Sequence, residues 1–294
     1  MFYLVLLITF FFSSTILSSY SVQKQQQQQN NVTVALSGQF GNQLFEIATA
    51  YAYALDNNVS LTIPDLIENK QFGIPYTAKR LFLAKIPSYP PPLLHCLHWT
   101  EPSFNYTPIP KTPNIALCGY FQSEKYFKHR RQEILELFAA PPEVTKYLLR
   151  KYPILSSDDF VVGIQIRDYR KEFPTEEYHP TIKRSYYQKA IAYFPENTTF
   201  LVSSNNLEFA KECVDGLTRN IIFLEENDYL EDFYALVLCK SFIISNSTFG
   251  WWASWLCTNE DKIVITPDPW WTPPYDNKAM KRDLLPQEYL VMEE

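Results

Sequence analysis

One stretch of the sequence, residues 242–256, limits most strongly what this chain can fold into. An apolar run at 242–244 predicts a buried strand, and it leads into the small polar residues Asn246, Ser247 and Thr248. Tryptophans at positions 251, 252 and 255 follow with the spacing of one helix side. In open α/β sheets, a strand that ends in small donors and then begins a helix binds anions, because free N–H groups converge there. An N-capped helix packed by its tryptophans explains the segment equally well.

The rest of the chain alternates apolar strands with amphipathic helices, which favours parallel sheets covered on both faces. The first unit is predicted as a strand at 32–36, a turn at 37–41, a helix at 42–55 and a strand at 59–63. Later strands are predicted at 160–166, 199–202, 221–224, 242–245 and 263–265, and helices at 185–193, 207–214, 230–239 and around the tryptophans. This alternation predicts an α/β protein with two Rossmann-like halves that face a cleft.

The two predicted halves meet at a polar stretch, residues 156–159. Before it, residues 87–113 carry eight of the 21 prolines and predict an irregular surface excursion. Residues 117–121 then return to the core, and helices are predicted at 126–139 and 143–151, separated by Pro141 and Pro142. We therefore predict an N-terminal α/β domain at 31–155 and a C-terminal domain at 156–294.

Residues 1–30 are predicted to lie outside this fold. An apolar run from Phe2 extends to Leu17, which is shorter than the roughly 20 residues of a membrane-spanning helix, and a glutamine tract follows at 25–29. We favour an uncleaved signal-anchor with a short stem over a cleaved signal peptide. The remaining chain would then lie in the lumen of the endoplasmic reticulum or Golgi, in a single-pass type II membrane protein. Sequons at Asn31, Asn58, Asn105 and Asn197 agree with this location, and the sequon at Asn246 is expected to be too enclosed for glycosylation.

Composition excludes some classes of function. A net charge of -6 argues against a nucleic-acid-binding surface. The five cysteines show no C-x-x-C spacing, and Cys239 and Cys257 lie in apolar runs, so buried thiols are favoured over a metal site or a disulfide framework.

Two further segments place polar side chains at predicted strand ends. The apolar strand at 161–166 is followed by Arg167 and Asp168, at the sheet edge where open α/β folds bind ligands. A guanidinium there matches two phosphate oxygens, whereas an exposed Arg–Asp pair would add under about 1 kcal/mol of stability. The first strand is followed by G-Q-F-G-N-Q, which is neither a dinucleotide fingerprint nor a P-loop, but it brings the amides of Asn42 and Gln43 to a similar edge.

Five blocks occur in one order along residues 32–271. They are G-Q-F-G-N-Q-L-F (38–45), G-Y-F-Q-S-E-K-Y-F (119–127), I-Q-I-R-D-Y (164–169), S-Y-Y-Q-K-A-I (185–191) and, within 232–256, D-F-Y-A-L-V-L-C-K with S-N-S-T-F-G-W-W-A-S-W-L. In this order the blocks resemble the α-1,2-fucosyltransferases of glycosyltransferase family 11. The resemblance implies a GT-B-like fold, GDP-fucose as donor, a galactose-terminated glycan as acceptor, inversion at the fucose anomeric carbon, and no metal or other cofactor. The chain also contains no Asp-x-Asp, so the diphosphate would be neutralised by Arg167, hydroxyls and helix N-termini.

Two blocks depart from the family pattern. The family's arginine motif usually reads His-x-Arg-Arg-Gly-Asp-Tyr, and here Gln165 stands at the histidine position while the second arginine and the glycine are absent. Arg167 therefore remains for the diphosphate, with Arg170 as a candidate partner. The usual Ser-Asp-Asp is Ser204-Asn205-Asn206 here, which removes two carboxylates that would meet a ribose or guanine. Both changes concern rate and donor preference rather than the fold.

The resemblance and the strand ends together predict a single displacement, in which Arg167 and a helix N-terminus stabilise the leaving GDP. The other residues expected to contact the donor are Gly41, Asn42, Gln43, Asn246, Ser247, Thr248 and Phe249. An acceptor hydroxyl must lose its proton, and Asp168 is the nearest candidate base along the sequence. Three functions remain open: an active fucosyltransferase, a transferase that uses another GDP-sugar or acceptor hydroxyl, and a weakly active paralogue that binds GDP-sugar or glycan.

Overall fold

The computed structural model describes residues 30–68, 86–87, 96–170, 178–218, 220–273 and 275–293, and the structural statements below concern these residues. The predicted signal-anchor and the glutamine tract lie outside them. Within these ranges, no helix is both long and apolar enough to cross a bilayer.

The N-terminal half is built on a parallel sheet with strand order β2-β1-β4-β3 in the described residues. Its strands are β1 Asn31–Val34, β2 Ser60–Leu61, β3 Leu97–Thr100 and β4 Asn114–Cys118. Helices α1 Phe40–Asn57, α2 Asp65–Glu68, α3 Arg131–Leu137 and α4 Pro142–Lys151 accompany this sheet. Since β1 lies inside the sheet and runs straight into the loop before α1, the G-Q-F-G-N-Q block lies at the carboxyl edge of the sheet.

The C-terminal half is built on a second parallel sheet, with strand order β10-β9-β8-β5-β6-β7. Its strands are β5 Val161–Ile166, β6 Thr199–Ser204, β7 Ile221–Phe223, β8 Ser241–Ile244, β9 Val264–Asp268 and β10 Leu290–Glu293. Its helices are α5 Arg184–Ile191, α6 Leu207–Val214, α7 Tyr229–Val237 and α8 Thr248–Leu256. All six residues of β5 are buried, and its neighbours β6 and β8 place their carboxyl ends beside its own.

An aromatic core joins the two halves. The tryptophans of α8 are buried, as the sequence predicts, with Trp251 and Trp252 fully enclosed. The ring of Phe45 on α1 lies 4.4 Å from Trp251 and 5.0 Å from Trp252, between ring centroids. Phe127 stacks on Trp252 at 5.2 Å. The two sheets lie on either side of residue 156, but helices α1 and α8 share one core, and the division into two domains stays a prediction.

Several predicted elements differ in detail. The helix predicted at 126–139 consists of 3-10 turns at Glu124–Tyr126 and Lys128–Arg130 followed by α3, because the non-helical backbone of Phe127 (φ −142°, ψ −5°) interrupts it. Strands β3 and β10 are not predicted by the sequence. Both are edge strands with exposed residues, so neither shows an apolar run. The strand predicted at 59–63 is reduced to two residues.

Candidate active site

A cavity of about 490 Å³ lies where the carboxyl ends of β5, β8 and β9 meet the N-termini of α1 and α8. Both halves of the chain line it. The N-terminal half contributes Gly38, Gln39, Phe40, Gly41, Asn42, Phe104, Tyr120 and Gln122, and the C-terminal half contributes Arg167, Tyr169, Tyr178, His179, Asn246, Ser247, Thr248, Phe249, Trp270, Trp271, Tyr275 and Met280. This volume falls within the range of about 300–1,000 Å³ that small-molecule sites have.

The N-terminus of α8 points its first turn at this cavity. Ser247 is the N-cap residue, and its hydroxyl accepts a hydrogen bond from the backbone N–H of Phe249 at 3.3 Å. No acidic residue lies in the first turn, so the positive end of the helix dipole is not neutralised from within the helix. The segment is thus both a capped helix packed by tryptophans and an N-terminus that faces a cavity, and the two sequence interpretations are compatible.

Asn42 connects the two halves across the cavity. Its side-chain oxygen accepts hydrogen bonds from Gln122 Nε2 and from Thr248 Oγ1, both at 3.0 Å. Gly41 makes this approach possible, because a Cβ atom there would lie 2.6 Å from the carbonyl carbon of Thr248. The helix predicted to begin at Asn42 begins at Phe40 instead, which places Gly41, Asn42 and Gln43 in its first turn.

Gln43 does not reach the cavity, contrary to the sequence prediction. Its side chain is fully buried, and Nε2 donates back to the carbonyl of Gly38 at 3.0 Å. Gly38 itself has a φ of 65°, a left-handed conformation that glycine adopts without strain. Gln43 therefore holds the loop in front of α1 rather than facing a ligand.

Arg167 and the α8 N-terminus come together as the sequence predicts. Arg167 lines the cavity, and its guanidinium donates to Gln39 Oε1 at 2.7 Å, across to the loop of the other half. Its Cζ lies 5.4 Å from the centre of the Tyr169 ring. Tyr169 in turn donates its hydroxyl hydrogen to the carbonyl of Asn246 at 2.9 Å. The ends of neighbouring strands β5 and β8 are thereby tied together beside the cavity.

Asp168 points away from the cavity, which removes the geometric basis for its predicted role as base. It is buried, and its carboxylate accepts hydrogen bonds from Arg170 Nε at 2.9 Å and Asn206 Nδ2 at 2.8 Å. Asn205 binds the backbone of Asp168: its Oδ1 accepts a hydrogen bond from the N–H, and its Nδ2 donates one to the carbonyl. The hydrogen bond from Arg170, first of all, holds the pKa of Asp168 below its usual range.

The same contacts also define the roles of Arg170, Asn205 and Asn206. Arg170 is paired with Asp168 and is not among the cavity residues, so it is not placed as a second arginine for a diphosphate. Asn205 and Asn206, which stand in place of the family's two aspartates, both bind Asp168. An aspartate at position 206 would set two carboxylates against each other, so the asparagine suits this local arrangement.

Replacing Asp168 by asparagine should lower the free energy of unfolding by about 1–3 kcal/mol at pH 7, because charge-assisted hydrogen bonds are lost. Since the folded-state pKa lies below the ordinary value of 3.8, this stabilisation is complete above that pH and is lost as pH falls through the folded-state pKa. Thermal unfolding of wild type and Asp168→Asn should show a smaller difference in unfolding temperature near pH 3.5 than at pH 7. An unchanged unfolding temperature with a kcat at least 100-fold lower would instead restore Asp168 as the base.

Gln165, at the family's histidine position, is also turned away from the cavity. It is buried in β5, and its Oε1 accepts a hydrogen bond from the hydroxyl of Ser245 at 2.7 Å. A Cβ atom at Gly250 would lie 3.0 Å from the same oxygen, so Gln165 packs beneath the first turns of α8. Its structural role is to support the strand end that carries residues 246–248.

The sequence interpretation missed His179 and most of the aromatic wall. Phe104 and Tyr120 stack with centroids 6.1 Å apart, and Phe104 lies 5.5 Å from Trp271. His179 stacks on Tyr169 at 4.4 Å. Neither His179 nor these aromatic residues lie in a sequence pattern that indicates a site. The chain has only four histidines, however, so each histidine could have been considered as a site residue.

None of the five cysteines forms a disulfide, and Cys239 and Cys257 are buried thiols, as predicted. Burial raises the pKa of both thiols. Among the described residues, no group of three or more His, Cys, Asp or Glu is arranged to hold a metal ion.

Solved structures confirm the fold class. A mutant of FUT1 from Arabidopsis thaliana, in complex with GDP, superposes with a TM-score of 0.54 at 16% identity, over 86% of this chain and 74% of that one. The fucosyltransferase NodZ from Bradyrhizobium superposes with a TM-score of 0.51 at 14% identity, over 76% of this chain and 92% of that one. The predicted GT-B-like α/β fold is therefore confirmed.

Sequence comparisons identify the family. An Escherichia coli protein named alpha-1,2-colitosyltransferase is 26% identical over 274 residues, which cover 81% of this chain and 92% of that protein. Galactoside alpha-(1,2)-fucosyltransferase 2 of Oryctolagus cuniculus is 27% identical over 246 residues, covering 79% of this chain and 68% of that protein. The profile of the family described as Glycosyl transferase family 11 matches residues 4–285. The chain belongs to glycosyl transferase family 11.

Proposed function

We propose that this protein transfers L-fucose from GDP-fucose to a galactose hydroxyl of a glycan, in α-1,2 linkage, with inversion and without a metal ion. The observation that carries the proposal is the convergence of Arg167 and the α8 N-terminus on one cavity, opposite the first turn of α1. Family membership and the fucosyltransferase names of relatives such as the rabbit protein support the choice of sugar and linkage.

The site can stabilise a leaving nucleoside diphosphate with protein groups. Arg167 supplies a full positive charge, and the N–H groups of the α8 first turn supply partial positive charges aimed at the same space. The hydroxyl of Ser247 adds a donor at the helix N-terminus, whereas the hydroxyl of Thr248 donates to Asn42 Oδ1. Each donor that strengthens as charge develops on the leaving diphosphate contributes about 3–4 kcal/mol to transition-state stabilisation. In this proposal no divalent cation is needed for the diphosphate.

An inverting displacement needs donor and acceptor in one cavity on opposite faces of the fucose anomeric carbon. The polar side, with Arg167 and the α8 N-terminus, suits the diphosphate. The aromatic side, with Phe104, Tyr120 and Trp271, suits the apolar face of a pyranose ring. In that pose, the galactose hydroxyl attacks from the side away from the leaving GDP.

The direct test incubates the purified full chain with GDP-fucose and a panel of galactosides, with and without EDTA. We expect release of GDP and an α-1,2-fucosylated product with a terminal galactoside, at a rate that EDTA changes by less than about twofold. GDP binding with no product from any donor and acceptor would instead identify a weakly active binding paralogue. Activity that EDTA abolishes and Mn²⁺ restores would overturn the metal-free part.

A different donor sugar is the second candidate, because one of the relatives is named a colitosyltransferase rather than a fucosyltransferase. Running the same assay with other GDP-linked sugars separates the two. A kcat/KM that is higher with another GDP-sugar than with GDP-fucose would make that sugar the donor, with the cavity and its anion site unchanged.

We further propose that the chain is anchored in the membrane of the endoplasmic reticulum or Golgi, with residues 31–294 in the lumen. The apolar run from Phe2 to Leu17 and the sequons downstream of it support this location. Asn31 cannot carry a glycan in this fold, because its side chain is buried and Nδ2 donates to Thr62 Oγ1 at 2.8 Å. Asn246 is buried as well, as the sequence analysis expects.

Glycosylation at Asn197 is expected, because the asparagine is exposed in the loop before β6. After expression in a eukaryotic secretory pathway, treatment with an N-glycosidase should increase the gel mobility of the wild-type chain. The glycosidase shift should be smaller in Asn197→Gln and unchanged in the matched variant Asn246→Gln. A shift that is unaffected by Asn197→Gln would contradict glycosylation at this position.

A further inference from the structure

His179 lines the cavity and carries an unused hydrogen-bond acceptor. Its ring donates an N–H hydrogen bond to the carbonyl of Trp270. The other ring nitrogen, Nδ1, is buried and has no hydrogen-bond partner among the described residues. Because the donating nitrogen is therefore Nε2, the neutral ring carries its lone pair on Nδ1. This places a fixed basic nitrogen among the residues that line the cavity.

The ring is held in place from the C-terminal sheet. Tyr169, at the end of β5, stacks on His179 with an angle of 13° between the ring planes. The hydroxyl of Tyr169 is itself bonded to the carbonyl of Asn246. Stacking on one face and the hydrogen bond from Nε2 together fix both the orientation of the ring and its tautomer.

Asn246, which also bonds the Trp270 carbonyl, carries a second unused acceptor. Asn246 Nδ2 donates to the carbonyls of Pro180 and Trp270, both at 3.0 Å, which determines how the amide is oriented. Its Oδ1 is buried and has no partner among the described residues. His179 and Asn246 thus share the Trp270 carbonyl, and each leaves one acceptor atom without a donor. A sugar ring supplies such donors as its hydroxyl groups.

The charges around His179 keep it neutral. Burial, first of all, and the positive charge of Arg167 lower the pKa of His179 to about 4. The loop that supplies Trp270 carries Asp268, Asp276 and Lys281, and these are paired with one another. Tyr169, which stacks on the histidine, donates its hydroxyl hydrogen to the carbonyl of Asn246. The ring is therefore available as a proton acceptor above about pH 5.

We propose that His179 is the general base of the transfer, taking the proton of the attacking acceptor hydroxyl at Nδ1, while Asn246 Oδ1 accepts a hydrogen bond from a neighbouring sugar hydroxyl. As the acceptor oxygen forms its bond to the fucose anomeric carbon, the bond from that carbon to the diphosphate oxygen breaks, and its electron pair leaves with GDP. The proton passes to Nδ1 and gives an imidazolium, which loses it to solvent after release. This inference rests on the proposed fucosyl transfer.

A weak base is sufficient for this step. The acceptor hydroxyl becomes strongly acidic only as its oxygen bonds to the sugar carbon, late in a displacement with oxocarbenium character. The bound donor also brings a diphosphate, whose negative charge raises the pKa of a nearby imidazole above its value in the free site. The imidazolium formed by the transfer is in turn stabilised by the departing GDP.

The test compares His179→Ala with wild type under matched conditions, with His129→Ala as control, because His129 lies on the surface and pairs with Asp56. We expect His179→Ala to lower kcat by about 100- to 10,000-fold, with GDP affinity, measured by calorimetry, within about threefold of wild type. Added imidazole should restore part of the rate. His129→Ala should keep the wild-type rate.

The pH dependence gives an independent readout. For wild type, kcat/KM should fall at acidic pH with a midpoint near 4, because the imidazole must be neutral to accept the proton. The residual activity of His179→Ala should lack this fall. The inference is overturned if kcat stays within about fivefold of wild type, if GDP affinity falls in proportion to kcat, or if the residual activity keeps the acidic fall. The activity of the wild-type protein is measured first. If it has no transferase activity, the proposed function itself is overturned, and the variants are not compared.

Discussion

Replacing Arg167 by alanine is expected to weaken GDP binding by about 10- to 200-fold, the equivalent of losing charged hydrogen bonds worth about 1.5–3 kcal/mol. The loss in kcat/KM should be larger, about 100- to 1,000-fold or more, because the guanidinium also stabilises charge that develops on the leaving diphosphate. Arg167 has this effect because it is placed at the end of β5, against Tyr169 and facing the α8 N-terminus. Calorimetry with GDP and initial rates with GDP-fucose measure the two losses separately.

Arg170→Ala is the matched control for this prediction, since the two arginines are three residues apart and only Arg167 lines the cavity. Arg170 bonds the Asp168 carboxylate and lies over the Phe209 ring at 4.5 Å, so its loss should lower the unfolding temperature. GDP affinity should stay within about threefold of wild type. Equal effects of the two substitutions on GDP affinity, or an unchanged affinity in Arg167→Ala, would remove Arg167 from the anion site.

The strand ends explain why much of the site could be predicted from the sequence. Buried parallel strands appear as continuous apolar runs, and the residue that ends each run lies at one common edge of the sheet. The rule places Arg167 and residues 246–248 at one edge of the sheet, and the structure brings them together there because β5 and β8 are neighbours. A second rule, helix periodicity, predicts the core role of the α8 tryptophans, because their spacing places them on one side of the helix.

The rule does not say which way a side chain at a strand end points. Asp168 follows Arg167 directly, but consecutive residues of an extended chain point in opposite directions. One therefore reaches the cavity and the other faces Asn205 and Asn206. Gln43 fails for the related reason that an amide in a first helical turn can bond the preceding loop instead of a ligand.

Contacts between distant segments lie beyond any local pattern. The hydrogen bond between Asn42 and Thr248 joins residues 206 positions apart, and its geometry depends on how α1 and α8 pack. The bond from His179 to Trp270 likewise needs the loop after β9 to be in place. A single sequence shows the residue types for these contacts but not their partners.

Gly41→Ala should reduce kcat/KM by about 100-fold or more, because a shift of about 1 Å between catalytic groups has an effect of that size. The added Cβ would lie 2.6 Å from the carbonyl carbon of Thr248 and 2.7 Å from the backbone nitrogen of Phe249. Both are backbone atoms of the α8 N-terminus, so rotation of a side chain cannot relieve the contact. Helix α1 must instead move away from α8, which lengthens the hydrogen bond from Thr248 to Asn42 and widens the anion site.

Gly216→Ala is the control that separates this effect from general destabilisation. Gly216 has a φ of 69°, and no atom lies within 4 Å of the position that an alanine methyl group would take, so alanine there strains the backbone by about 1–2 kcal/mol without a clash. Both variants should unfold at lower temperature than wild type, but only Gly41→Ala should lose transferase activity and GDP affinity. Equal activities in the two variants at a temperature where both are folded would show that the close contact of α1 and α8 is not needed for the site. The predicted difference arises because Gly41 lies where the N-termini of α1 and α8 line one cavity, and Gly216 lies beyond the far end of α6, after its last residue Val214.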